Sequence, residues 1–167
     1  YITLGSGVNF AALAEHRLNY LAVSERFLFT TCDIEIRSCT IVEGNVPSME
    51  PDMTNAFGHV TIDLHGAKCH CGSYGCLYTY SSLAMIKRKI VQFIKQGKPP
   101  ILLEMVNSVE EIDYHNILKA IEQGDKLCTE VIEDAAYYYG MALANTILTF
   151  QPDTVVCGGT LVPKGNF

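Results

Sequence analysis

The sequence has no tryptophan, and charged residues make up only 18% of its 167 positions, below the roughly 25% of an average globular domain. Positive charge is not in excess, because the formal net charge is −6 and no long run of Lys and Arg occurs. No stretch reaches the roughly 18 uninterrupted apolar residues that indicate a membrane-spanning helix. We therefore expect that these residues neither contact a membrane nor bind a nucleic-acid backbone directly.

Apolar residues are plentiful, at 49% of the chain, which excludes a disordered or low-complexity protein. A length of 167 residues suits one domain with its own hydrophobic core. We therefore interpret residues 1–167 as a single domain. Because residues 1–4 are predicted to form a strand and no initiator Met precedes them, we expect a fragment of a longer protein.

The spacing of the apolar residues predicts both helices and strands. Helices are expected at residues 9–23, 77–96, 108–123 and 125–150, with Ser108 as the cap of the third. Strands are expected within 27–42 (two of them), at 60–63 and at 154–157, with loops at 46–57 and 66–76. This mixture is typical of an α/β or α+β domain.

The seven cysteines are distributed unevenly, with three of them inside the loop at residues 66–76 and four in isolated apolar or strand-like settings. The cluster favours a metal site, and the isolated cysteines favour reduced core positions. Both fit a reducing cytoplasm, where we expect the protein to be located. A reduced cluster without metal, or a redox pair, is the alternative.

A histidine precedes the cysteine cluster at a spacing that suits a zinc site. The four candidate ligands are His59, Cys69, Cys71 and Cys76. Three Cys and one His form a closed tetrahedral shell, so a bound Zn²⁺ is expected to be structural and not hydrolytic. His65 and His70 are rival nitrogens, but His70 lies between two ligands, where its side chain is expected to point away.

The loop Cys-His-Cys-Gly-Ser-Tyr-Gly-Cys at residues 69–76 resembles the C-x-C-G-x-x-G-C signature of the ROK family (repressors, open reading frames and sugar kinases). Residues 9–15, 40–44 and 152–159 resemble further family segments in the same order. The resemblance implies an actin-like, ribonuclease-H-like α/β lobe, with a mixed sheet flanked by long helices and an inserted zinc-binding loop. This chain would be mainly the second, C-terminal lobe, through which family members usually form homodimers.

The residues aligned with the family's sugar-binding groups differ from the family pattern. The catalytic Asp and its neighbouring Asn align with Gly7 and Ser6, and two sugar-binding Glu align with Ala56 and Tyr78. Glycine cannot accept a proton, so we predict no catalytic residue in this chain. His59 could still reach a sugar through its second ring nitrogen, as the zinc-bound His does in family members. The candidate ligand-binding residues are Ser6, Asn9, His59 and Tyr78.

The phosphate-binding turn of family kinases, Gly-Thr-Gly-x-Gly, aligns with Asp-Ile-Glu-Ile-Arg at residues 33–37. Backbone N–H groups can wrap a phosphate only where small residues permit close approach. Asp33 and Glu35 would instead repel phosphate, and Arg37 alone is not expected to compensate. The sequence therefore predicts no ATP binding.

These features favour the effector-sensing and dimerisation lobe of a ROK-type bacterial transcriptional regulator that has lost sugar-kinase chemistry. Its expected partners are a second copy of the chain and a small-molecule effector such as a sugar or sugar phosphate. DNA would be bound only through a domain outside this chain. An atypical hexose kinase and a degenerate zinc-stabilised scaffold dimer are the alternatives.

Overall fold

The structure, a computed structural model, describes residues 5–22, 24–47, 51–97 and 100–160, with the side chains of 51–53 left aside. The strand predicted at residues 1–4 lies outside these described residues. A helix long and apolar enough to cross a membrane does not occur among them.

Within the described residues, three strands form a mixed sheet in the order β2-β1-β3. Strand β1 (Arg26–Cys32) pairs antiparallel with β2 (Ile36–Val42) and parallel with β3 (Thr154–Gly158). The central strand is the most buried of the three, and its Phe27 and Leu28 are almost completely buried. The two predicted strands within 27–42 and the strand at the chain's end are confirmed, and so is the mixed α/β sheet.

Helix α1 (Gly7–Glu15) packs on the sheet through Val8 and Ala12, against Phe27 and Ile41. It begins two residues earlier than predicted. Its regular hydrogen bonding stops at Glu15, where a π-helical segment, His16–Tyr20, replaces the predicted continuation to residue 23. The buried ring of His16 lies against the carbonyl oxygen of Ser24, with His16 Nε2 at 2.9 Å from that oxygen, and this contact joins the segment to the start of β1.

Three further helices form a separate layer: α3 (Leu83–Lys95), α4 (Tyr114–Glu122) and α5 (Lys126–Phe150). Nine buried residues hold this layer together: Ile86, Ile90, Leu102, Ile112, Ile117, Ala120, Cys128, Val131 and Ala135. The long helix predicted at 125–150 is confirmed, with the Asp125 carboxylate as its N-terminal cap.

Several predicted elements differ from the structure. Residues 77–96 form two helices, a short α2 (Tyr78–Ser81) and α3, because Ser82 is extended and caps α3 by accepting from Met85 N–H. Helix α4 is capped by Asp113 and not by Ser108, which precedes only a 3₁₀ turn, Val109–Glu111.

The segment before the cysteine loop also differs from the prediction. Residues 60–63 do not form a strand, since only a single bridge joins Thr61 to Cys76. The predicted loop at 46–57 contains a 3₁₀ helix, Pro51–His59, that packs on β2. Gly58 makes this contact possible, because a Cβ there would lie 2.6 Å from the Ile36 carbonyl oxygen.

Candidate metal centre and ligand cleft

Four side chains converge beside the end of the 3₁₀ helix. One ligand atom from each of His59, Cys69, Cys71 and Cys76 lies within 4.8 Å of every other. The Cys69 Sγ lies 3.5 Å from His59 Nδ1, and the Cys71 and Cys76 sulfurs are 3.7 Å apart. The structure thus brings together the four residues that the sequence predicts as metal ligands.

These separations match the edges of a tetrahedral metal site. With metal–sulfur bonds of about 2.3 Å and metal–nitrogen bonds of about 2.0–2.1 Å, a tetrahedron has S···S edges near ~3.8 Å and S···N edges near ~3.6 Å. Two of the ligand–ligand separations thus have the length of tetrahedral edges, and all of them lie within 4.8 Å, so the cluster could hold one metal ion.

Tight backbone turns shape the loop that carries the three cysteines. The Cys69 N–H donates to the Ser73 carbonyl at 2.8 Å, and the Gly75 N–H donates to the Ala67 carbonyl at 2.9 Å. Gly75 has φ +62°, and a Cβ there would overlap the Asp63 carbonyl oxygen at 1.6 Å. Glycine is required at this position because both the backbone angle and the close approach exclude a side chain.

Burial changes the protonation of the ligands when no cation is bound. Desolvation raises the pKa of the Cys76 thiol to about 12, with the neighbouring Cys71 and Cys69 sulfurs contributing. Desolvation also lowers the pKa of His59, and His70 lowers it further. His59 is therefore neutral at pH 7 and ready to ligate, whereas Cys76 becomes a thiolate only if a cation compensates its charge.

Two aromatic rings border the metal centre. Tyr78 lies against His70, with ring centroids 4.6 Å apart, and 6.2 Å from the ring of His59. The ring of His70 lies 5.1 Å from that of His59 instead of pointing away from the cluster, which corrects the expectation for this residue. Tyr78 thus lies close to both histidine rings, at the side of the candidate metal site.

The other two candidate ligand residues lie at the start of α1. Asn9 is buried and lines a cavity of about 250 Å³ together with Thr54 and Ala56. Ser6 donates a hydrogen bond of 3.4 Å to the Thr54 hydroxyl at the same junction. The structure therefore groups the four candidates in two pairs, Ser6 with Asn9 and His59 with Tyr78.

A larger cavity of about 650 Å³ opens between the start of α1 and the β1–β2 turn. Gly7, Asp33, Glu35, Arg37 and Thr160 contribute to its lining. The Asp33 carboxylate accepts a 2.6 Å hydrogen bond from Thr160 N–H, and Glu35 pairs with Arg37 at 2.8 Å. The acidic turn predicted at residues 33–37 therefore faces this cleft.

One contact that supports the metal loop has no signal in the sequence. The Tyr80 hydroxyl donates to the Asp63 carboxylate at 2.7 Å, and the same carboxylate accepts from the His65 N–H. These bonds lower the pKa of Asp63. Tyr80 follows the cysteine motif on a helix, where an aromatic residue is ordinarily attributed to packing.

Comparison with known proteins gives relatives of two kinds. The chain is 27% identical over 158 residues to the DNA-binding transcriptional dual regulator NagC of Escherichia coli K12, covering 95% of this chain and 38% of that protein. It is 26% identical over 166 residues to a glucokinase of Halalkalibacterium halodurans, covering 99% of this chain and 50% of that enzyme. The chain thus spans between about two fifths and half of these relatives.

Solved structures share the fold. A ROK family transcriptional regulator described as a homolog of the E. coli MLC protein superposes with a TM-score of 0.79 at 29% identity, over 93% of this chain and 38% of that chain. A ROK family glucokinase from Streptomyces griseus superposes with a TM-score of 0.78 at 24% identity, over 94% and 51%. The sequence profile of the ROK family matches residues 2–167. The chain belongs to the ROK family.

Proposed function

We propose that this chain is the effector-sensing and dimerisation lobe of a ROK-type transcriptional regulator, and that it does not transfer phosphate. The observation that carries the proposal is Gly7, which begins α1 at the edge of the 650 Å³ cleft and offers no side chain. Phosphoryl transfer to a sugar needs a base beside the accepting hydroxyl. The position aligned with that base cannot take a proton.

The electrostatics of the cleft support the same proposal. Asp33 and Glu35 bring two carboxylates to the turn that would have to surround nucleotide phosphates. Arg37 is already paired with Glu35, so its positive charge is largely neutralised by its own neighbour. Nucleotide phosphates entering this cleft would meet net negative charge.

We further propose that the four-residue cluster binds a structural Zn²⁺. Three thiolates and one imidazole make a closed shell with no open position for water, which is the composition of a structural zinc site. The ion would hold the cysteine loop in place and fix the ring of His59. The ion would compensate the negative charge of the thiolates.

The regulator would respond to a small effector, such as a sugar or sugar phosphate, by a shift between arrangements of the lobes. Two copies of the chain would pair as a homodimer in the cytoplasm, and DNA would be bound by another part of the protein. The relatives named as repressors or regulators, including NagC, support this assignment.

A ligand screen on the purified protein tests the proposal. Thermal unfolding would be followed with hexoses, N-acetylated amino sugars, their phosphates and Mg-ATP. A ligand at a hundred times its dissociation constant stabilises the folded state by about 2.7 kcal/mol, which is easily measured. We expect stabilisation by a sugar or sugar phosphate and none by Mg-ATP, with no ATP-dependent phosphorylation of any sugar tested.

A matched variant identifies the cause of the missing nucleotide affinity. Glu35→Gln removes one carboxylate and leaves Arg37 unpaired, so ATP binding should become stronger if repulsion is the cause. Glu110→Gln makes the same change outside the cleft and should have no effect. Phosphorylation by the unmodified protein would instead establish the alternative, an atypical kinase, which the glucokinase relatives favour. No response to any ligand would favour a zinc-stabilised scaffold dimer.

A further inference from the structure

A second cavity, of about 500 Å³, lies between the cysteine loop, α3 and α5. Among the described residues, it shares no lining residue with the cleft beside Asp33. Its size falls in the range of small-molecule sites, about 300–1,000 Å³. Its lining includes Lys68, Tyr80, Arg88, Lys89, Asp134 and Tyr138.

The lining concentrates positive charge on an otherwise acidic chain. Lys68, Arg88 and Lys89 supply three cations, and Asp134 supplies one carboxylate. Lys89 holds that carboxylate at 2.6 Å, so the two charges largely cancel. Within the described part of the chain, Lys68 and Arg88 form no ion pair. The cavity therefore presents two unpaired cations, whereas the whole chain carries a net charge of −6.

The three consecutive cations of α3 do not act as one charged surface. The Lys87 ammonium donates to the Glu110 carbonyl at 2.7 Å and does not line the cavity. Arg88 does line it, and so does Lys68, which lies in the cysteine loop beside Cys69. Two distant parts of the sequence therefore contribute the unpaired cations to one site.

An aromatic wall stands beside these cations. The rings of Tyr80 and Tyr138 lie 4.3 Å apart, and the Tyr80 hydroxyl is held by Asp63 at 2.7 Å. A wall of this kind suits the carbon skeleton of a sugar or another compact organic group. The Asp63 carboxylate that accepts this hydrogen bond does not itself line the cavity.

We propose that this cavity binds a small phosphate monoester, with its phosphate between Lys68 and Arg88 and its organic part on the tyrosine wall. A guanidinium donates two parallel hydrogen bonds to a phosphate, and the lysine adds a point charge from the opposite side. Bound phosphate bridges the cysteine loop and α3, and so opposes opening of the loop. This proposal does not depend on whether the protein is a regulator or an enzyme.

Calorimetric titration of the intact zinc-loaded protein tests the proposal with three probes at equal ionic strength. The probes are inorganic phosphate, a hexose 6-phosphate and the unphosphorylated hexose. We expect the monoester to bind more tightly than inorganic phosphate. If inorganic phosphate and the hexose 6-phosphate compete, they share one phosphate site. This result distinguishes the proposed site from a sugar site elsewhere, which inorganic phosphate would not occupy.

Variants locate the binding. Arg88→Gln and Lys68→Gln should each weaken monoester binding by about tenfold or more, since each removes a charge-assisted hydrogen bond. Lys87→Gln makes the same charge change on the same helix outside the cavity and should leave binding unchanged. Thermal unfolding of each variant separates loss of the site from loss of the fold, and Arg88→Lys should recover part of the affinity.

Three results would overturn the proposal. The first is monoester binding no stronger than that of chloride at the same ionic strength. The second is equal weakening by Lys87→Gln and Arg88→Gln, which would indicate a general charge effect. The third is binding of a phosphopeptide or a single-stranded nucleic acid with no binding of the monoester, which would identify the cavity as part of a macromolecular interface.

Discussion

The cysteine loop and the helical layer are stabilised in different ways. The layer formed by α3, α4 and α5 buries nine residues, including Ile90, Leu102 and Ile117, at essentially zero exposure. In the loop, Tyr74 is 55% exposed, Leu64 just before the loop is 84% exposed, and Cys69 and Cys76 are the buried side chains of the loop. Hydrophobic burial therefore stabilises the layer, whereas the loop depends on backbone hydrogen bonds and on what its sulfurs bind.

This difference indicates that the two regions should respond to different perturbations. A loop that encloses a metal loses its structure when the metal is removed, and a packed layer does not. A cavity in the packed layer lowers the free energy of unfolding and leaves the metal in place. The comparison would fail if either region responded to the other's perturbation.

The largest effect is expected from Cys76→Ser, which removes a buried ligand of the proposed metal site. Metal binding stabilises folded zinc-finger peptides by about 10–16 kcal/mol, so little of this stabilisation should survive in the loop. We expect the zinc content to fall from about one ion per chain to a small fraction, with fast hydrogen exchange in the loop and slow exchange in α5. Elemental analysis measures the zinc content, and hydrogen-exchange mass spectrometry measures the exchange rates in the loop and in α5.

Cys157→Ser provides the control for this change, because Cys157 lies on β3, away from the metal centre. It should keep the zinc and the protection of the loop. If Cys76→Ser retained its metal, or if α5 lost protection together with the loop, the two regions would not be independent.

The next largest effect is expected from Ile90→Ala in the helical layer. Ile90 is completely buried, so its truncation leaves a cavity and should lower the free energy of unfolding by about 2–5 kcal/mol. Urea unfolding with and without a chelator measures this loss, which should be the same in both conditions. Leu148→Ala, at an exposed position of α5, should change stability by less than about 0.5 kcal/mol.

The same contrast shows how much could be predicted from the sequence. The cluster of candidate metal ligands was predictable because cysteines and a histidine at this close spacing are typical of a metal site, and the structure brings all four together. The long helix ending at Phe150 was predictable from its apolar period. The prediction of a strand at residues 60–63 was wrong. The apolar pattern of these residues fits a strand, but they face a tight turn around Gly75, which leaves room for only one bridge.

Contacts between distant residues were beyond the reach of the sequence. The break at Ser82 goes with a buried cap, and the π-helical turn after α1 places His16 against the Ser24 carbonyl. The basic cavity is a further case, because only the fold places Lys68 and Arg88 in the lining of the same cavity. Local patterns predict elements, whereas these features arise from tertiary packing.

A smaller effect is expected at the junction between the helices of the layer. The Asp125 carboxylate accepts from Cys128 N–H and from Leu102 N–H, each at 3.0 Å, in a buried position. Asp125→Ala leaves both donors without their acceptor and should lower the free energy of unfolding by about 1–3 kcal/mol. Chemical denaturation measures the loss, and the zinc content should not change.

The matched control is Asp113→Ala, which removes the cap of α4 at a more exposed site. It should cost less than Asp125→Ala, because water can replace the lost acceptor there. If the two variants lost the same free energy of unfolding, burial of Asp125 would not strengthen the cap of α5.

The smallest effect is expected from Tyr80→Phe, at a half-buried position of α2 that contacts Asp63 before the loop. The Tyr80 hydroxyl, and after it the His65 N–H, lower the pKa of Asp63 below its usual value, about 3.9 in an unfolded chain. The stabilisation from this contact is therefore present above about pH 4 and lost as pH falls through the lower folded pKa. In Tyr80→Phe the pKa of Asp63 should rise toward its ordinary value, as measured by NMR titration of its carboxyl carbon. Tyr137→Phe removes a hydroxyl that does not contact Asp63 and should leave that pKa unchanged. An unchanged pKa in Tyr80→Phe would mean that the loop's backbone alone holds the carboxylate, and that the loop needs no support from α2.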